Sequence, residues 1–194
     1  MLNHIRPAVV MIALFTGVLG VAYPFAVTGV AQAAFHDQAD GSLVRDKAGK
    51  VVGSALVGQS FAEPGYLHPR PSAAGDGYDA SVSSGSNLGP LNPDLIARIK
   101  TDADAFRAET GVKVIPADAV TTSASGLDPH ISPAYAELQV ARIASARGVG
   151  EAQVREVIRE HEEGRTFGVL GQPRVNVLLT NMALDARFPR PAEG

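Results

Sequence analysis

No charged side chain interrupts the chain from Pro7 to Phe35, between Arg6 and the His36-Asp37 pair. Wound as a helix, those 29 residues reach roughly 43 Å, more than the roughly 30 Å hydrocarbon core of a bilayer. All 20 acidic residues and 16 of the 17 Lys/Arg lie beyond Phe35. The sequence therefore divides into a membrane-directed segment, residues 1–35, and a water-soluble remainder, residues 36–194.

Two fates fit the apolar run. Arg6, the apolar stretch from Val9 to Ala22 and the small residues around Ala31-Gln32-Ala33 match the three regions of a cleavable signal peptide. Against cleavage, apolar character continues past Pro24 through Phe25, Val27 and Val30, longer than the usual apolar region of about 7–15 residues. Pro24 is tolerable in a spanning helix because neighbouring groups can satisfy the carbonyl it frees. Orientation is the same for both fates. Arg6 and the amino terminus precede the run, whereas Asp37 and Asp40 follow it, so the positive-inside rule places the amino terminus in the cytoplasm and exports the rest.

The exported part carries 16 basic and 20 acidic side chains, a balance without the basic stripe expected of a nucleic-acid binder. Its length suits one domain. The expected architecture is α/β: one amino-terminal transmembrane helix, then a single mixed domain with a small sheet and about four helices.

Ser42 to Val57 reads as a hairpin turning at Asp46-Lys47-Ala48-Gly49. Gln59 to Pro90 is a long Gly/Ser/Pro-rich connection, with Phe61, Tyr66 and Tyr78 available to pin it to a core. Within it, the backbone from Ser83 to Gly89 can be read as an anion-binding nest or as a loop bonded to itself. Asn92-Pro93-Asp94 supplies a cap, a first-position proline and a dipole-matched acid for a helix that Gly111 stops. Val112 to Ile115 is a short strand candidate. Ser132-Pro133 opens a helix ending at Gly148, and another runs from near Gly150 through His161 toward Gly164. Leu170 to Arg174 is a turn, after which Val175, Leu178, Leu179 and Met182 recur at helical spacing.

Asp128, His130 and Ser132 comprise an acid, a base and a hydroxyl, the ingredients of a hydrolase. Their spacing of two along a Pro-flanked segment opposes convergence, and a turn followed by a helix cap accounts for the same residues. The five histidines are scattered and His161-Glu162-Glu163 lacks a second His four residues on, so no metal site is expected.

Several strings together carry a family resemblance: Gly58-Gln59-Ser60-Phe61, Arg70-Pro71-Ser72, Gly85-Ser86-Asn87-Leu88-Gly89-Pro90, and above all Ser125-Gly126-Leu127-Asp128-Pro129-His130-Ile131-Ser132-Pro133. Gly164-Arg165, Leu170-Gly171 and Pro173-Arg174-Val175-Asn176-Val177 follow in order. The chain resembles the C subunit of the Kdp-type, ATP-driven potassium importers of bacteria and archaea. Ser84, Leu91 and Gln172 depart from residues usual in that family.

The resemblance implies a non-catalytic accessory subunit in the cytoplasmic (inner) membrane. Its partners would be a channel-like potassium-binding subunit, a P-type ATPase subunit and a small single-span subunit. It implies that the span is retained as an anchor in membrane lipid, with Ala13, Thr16, Gly17, Gly20 and Pro24 offering small surfaces to other helices. It marks Ser86, Asn87, Asp128, His130, Arg165, Arg174 and Asn176 as interface or structural candidates. ATP and potassium would be handled by the complex, with no cofactor held firmly by this chain. The family has also been described as a catalytic chaperone that raises the ATP affinity of the pump, with Gln59 in Leu56-Val57-Gly58-Gln59 as the nucleotide-contacting candidate. A domain exported beyond the membrane cannot touch cytoplasmic ATP, so an assembly role that covers the outer face of the channel-like subunit is the expectation.

Overall fold

The structure, a computed structural model, describes residues 2–189. The chain forms two compact units, one up to Ser54 and one from Ala55 onward.

In the first unit, α1 (Leu2–Phe15) and α2 (Tyr23–Ala34) are joined without a break by a π-helical stretch, Thr16–Ala22. Pro24 explains the wide turn. Its ring would collide with the carbonyl four residues back and it has no N–H to donate, and the neighbouring Tyr23 N–H reaches back to the Val18 carbonyl. The ladder thus widens for about one turn instead of breaking. His4–Ala34 is long and apolar enough to cross a membrane, with a mean hydropathy of 2.1 and none of it buried within the protein.

A short helix α3 (His36–Ala39) leads into the hairpin β1 (Leu43–Arg45) and β2 (Val51–Ser54), paired antiparallel with an irregularity between Val44 and Arg45. Asp46 closes the turn as expected, its Oδ1 accepting from the Ala48 and Lys50 amides at 2.9 Å each.

The second unit begins with the long connection and then α4 (Pro93–Thr110), which starts and stops where the sequence places it. Asn92 accepts from the Asp94 amide, and Gly111 ends the helix at φ 70. Val112 to Ile115 does not form a strand: neither sheet pairs with it among the described residues, and Val114 is left 85% exposed. Beyond it come β3 (His130–Ile131), α5 (Pro133–Leu138), α6 (Val140–Arg147), α7 (Glu151–Glu160), β4 (Glu162–Glu163), β5 (Arg174–Asn176) and α8 (Val177–Arg187).

Three details differ from expectation. The helix after Ser132 is interrupted at Gln139, whose amide bonds only three residues back, to Ala136. The helix after Gly150 stops at Glu160 because Glu162 and Glu163 are drawn into pairing with β5, so His161 caps the helix instead of lining it. Val175 belongs to a strand and not to the last helix, which begins at Val177.

The three-stranded sheet has the order β3-β5-β4, all antiparallel. Alternation along its strands turns Ile131 and Val175 to one face, where they are 2% and 0% exposed and join Val140, Ile143, Val154, Val157 and Leu184 from α6, α7 and α8 in the core. Phe106 of α4 closes one side, edge-on to Tyr135 with centroids 5.7 Å apart.

Candidate functional site

The other face of this sheet carries charge. Arg174 and Asn176 share it on β5, and their cross-strand partners are Glu163 and His130. A string of paired groups results. Arg70 Nη1 lies 2.9 Å from Asp128 Oδ2, and Asp128 Oδ1 is 3.6 Å from His130 Nδ1. His130 Nε2 is 4.0 Å from Glu163 Oε1, and Glu163 Oε2 is 2.6 Å from Arg174 Nη2. Partial burial would raise the Asp128 carboxyl, but hydrogen bonds from the His130 side chain and amide, together with the Arg70 guanidinium, outweigh it and hold the acid below its ordinary value. Three of the candidates, Asp128, His130 and Arg174, are therefore brought together, and Arg70 and Glu163 join them. Asn176 is 2% exposed and serves the fold: it caps α8 by accepting from Leu179 and donates to the Ala55 carbonyl.

Close backbone approach explains two motif glycines behind this string. A Cβ on Gly58 would stand 2.7 Å from the Asp128 carbonyl oxygen. A Cβ on Gly126, whose φ is +66, would stand 2.5 Å from the Ser84 carbonyl oxygen and 2.7 Å from the Ala74 nitrogen. Gly85 in turn lies against the Ala124 backbone, and Ser83 donates to the Ser125 carbonyl. The segment from Ser83 is thus laid against the Gly126 segment. Ser86 is half-buried there, and Asn87 is exposed with φ 52.

The long connection is held mainly by carboxamides. Asn181 accepts from the Leu67 amide and donates to the Leu67 carbonyl, at 2.7 and 3.0 Å. Gln139 does the same for His68, at 2.7 and 3.1 Å. Two side chains thereby satisfy this stretch of backbone as a neighbouring strand would. Arg147, its side chain wholly buried, donates to the carbonyls of Gly65 and Phe188 and to Asp185, and stacks over Tyr66. Burial and the nearby Arg142 push the His68 imidazole down to about 4.

The possible catalytic trio does not assemble. Ser132 Oγ donates to Asp118 Oδ1 at 3.0 Å and accepts from the Tyr135 amide at 3.1 Å, so the hydroxyl is a helix cap directed at Asp118. Gln59 is half-buried beside the tightly packed Gly58. Among the described residues no group of three or more His, Asp or Glu could hold a metal ion. In the span, Ala13, Thr16, Gly17, Gly20 and Pro24 are all exposed, the middle three within the π-helical turn.

Arg165 lies apart from the charged string, in the loop from residue 164 to 173 that joins β4 to β5. Thr166 and Leu170 form a bridge across this loop, and Arg165 Nη2 donates to Gln172 Oε1 at 3.0 Å. At the tip Phe167 adopts φ 54, a left-handed conformation that costs a bulky residue on the order of 1–2 kcal/mol. Nothing in the sequence periodicity marked this residue. The pairing of Glu162 and Glu163 with β5, which makes the loop a hairpin tip, was hidden by their apparent place at a helix end.

The family model for KdpC, K+-transporting ATPase, c chain, matches residues 5–186. The chain belongs to the KdpC family. A potassium-transporting ATPase KdpC subunit of Caulobacter sp. (strain K31) is 67% identical over 97% of this chain and 96% of that relative. KdpC subunits of Caulobacter vibrioides (strain NA1000 / CB15N) and Beijerinckia indica are 66% and 59% identical, each over 97% of this chain and 96% of the relative. KdpC membership makes the chain a subunit of a K+-transporting ATPase, and its one candidate span fits a single-pass membrane subunit.

Proposed function

We propose that this chain is a non-catalytic assembly subunit of an ATP-driven potassium importer. Its amino terminus lies in the cytoplasm, its span is retained in the inner membrane, and its folded part works on the outer side. The observation that carries this reading is the helix from His4 to Ala34, long and apolar enough to cross a membrane and without a buried residue in its apolar window. Lipid and the helices of other subunits are the surfaces that can cover it. Beyond the backbone of their own helix, a Cβ on Gly17 would meet nothing within 4 Å and one on Gly20 only the Thr16 side chain, which leaves the backbone open to close approach.

The partners are the channel-like subunit, the P-type ATPase subunit and the small single-span subunit, and the exported domain covers the outer face of the first. ATP and potassium are handled by those partners. Co-purification from mild detergent tests the reading: the chain should elute with the channel-like and ATPase subunits, and the paired change Gly17→Leu and Gly20→Leu should reduce that yield. A chain that leaves the membrane alone would contradict it.

A catalytic-chaperone role through nucleotide contact rests on Gln59. The packing of Gly58 against the Asp128 carbonyl gives the glycine of the Leu56-Val57-Gly58-Gln59 string a structural reason that needs no nucleotide. Photoreactive ATP applied to the assembled complex separates the two: labelling of this chain that Gln59→Ala abolishes would favour nucleotide contact.

A further inference from the structure

The β4–β5 hairpin ends in an apolar knob. Within four residues, Phe167, Val169 and Leu170 are 89%, 71% and 59% exposed. The knob is held in shape: the Thr166 amide donates to the Leu170 carbonyl at 2.9 Å, the Leu170 amide returns the bond at 3.0 Å, and Gln172 braces Arg165. Between residues 164 and 173 the only formal charge is that of Arg165, and the nearest acid, Glu163, is paired with Arg174. The tip is therefore a fixed convex apolar surface with a positive collar.

Strain and exposure at one residue point to use. Phe167 holds a conformation that Asn or Gly would hold more easily, and it presents its ring to solvent, where folding gains nothing from it. We infer that Phe167, Val169 and Leu170 dock into an apolar pocket edged by carboxylates on the extracytoplasmic face of another subunit of the K+-transporting ATPase. This rests on the accessory-subunit reading above. A protein pocket fits better than lipid for two reasons. The chain already owns a membrane anchor, to which three apolar residues and one cation would add only a marginal second hold. A rigid aromatic tip with a flanking Arg is also the composition of a protein hot spot, where prior order lowers the cost of binding.

The test uses the assembled complex in its membrane and the absence of native cysteine in this chain. Phe167→Cys is coupled to a benzophenone maleimide and irradiated, with Ser145→Cys, an exposed position of α6, as the control. The expected result is a covalent adduct between position 167 and a protein subunit, mapping to an apolar, carboxylate-edged segment, and no such adduct from position 145. In parallel, Phe167→Asn should raise the melting temperature by roughly 2–4 °C as the strain is relieved, while lowering retention of the chain on the complex by about tenfold. A Phe that served only the fold would move both readouts down together. Adducts with lipid alone, no adduct from an intact complex, or unchanged retention of the Phe167→Asn chain would overturn the inference. A wild-type chain that purifies without partners would instead sink the subunit reading, and this inference with it.

Discussion

Asn181 is 1% exposed and satisfies both backbone groups of Leu67, itself fully buried. Removing the carboxamide strands a buried N–H and a buried C=O, each costing about 1–3 kcal/mol. Asn181→Ala should therefore lose about 2–4 kcal/mol in chemical denaturation, well above the cost of a surface change. His68 gives the neighbouring stretch a pH dependence. Its folded value of about 4 lies below the ordinary 6.5, so the unfolded chain takes up the proton first. The stability it contributes is complete above pH 6.5 and falls away as the pH drops toward about 4. His68→Gln should flatten that part of a stability-against-pH curve. Asp128 acts lower on the scale. Its folded value is depressed, so its contribution is present above the ordinary carboxylate value and is lost as pH falls through the folded one. Asp128→Asn should cost about 1–3 kcal/mol at neutral pH and nothing once the wild-type acid is protonated.

Among the elements, helix starts are where local chemistry decided the outcome. Ser132 caps α5 by accepting from Tyr135, and Ser132→Ala should cost about 1 kcal/mol in thermal or chemical unfolding. A loss confined to stability, with transport by the assembled complex unchanged, would also close the hydrolase reading of Asp128, His130 and Ser132. The caps at Asn92 and Ser132, the stops at Gly111 and Gly148 and the turn at Asp46 were legible because each is fixed by residues within four positions. The three-stranded sheet was not. Its strands are two or three residues long, too short for an alternation to show, and their pairing joins His130 to Asn176 across 46 positions. Hence Val175 read as helix and Glu162 as a helix end. The charged string was half legible for the same reason: Asp128, His130 and Arg174 stand in recognisable motifs, whereas the places of Arg70 and Glu163 depend on long-range pairing.

For the whole molecule, the first compact unit, up to Ser54, carries a helix long and apolar enough to cross a membrane, and the second begins at Ala55. On the proposed topology the folded part has no access to cytoplasmic nucleotide, and any effect on ATP use would pass through the channel-like subunit or through packing in the bilayer. The side on which the folded part lies is therefore the claim on which the rest depends. It can be read with single cysteines, since the chain has none: Ala80→Cys, at an exposed loop position, and His4→Cys, at the amino-terminal end of the candidate span, each treated with a membrane-impermeant maleimide in intact spheroplasts. Labelling of Ala80→Cys in the intact cells, with His4→Cys reacting only after lysis, is the expected result. Labelling of Ala80→Cys only after lysis would place the domain in the cytoplasm and contradict the assembly role on the outer face.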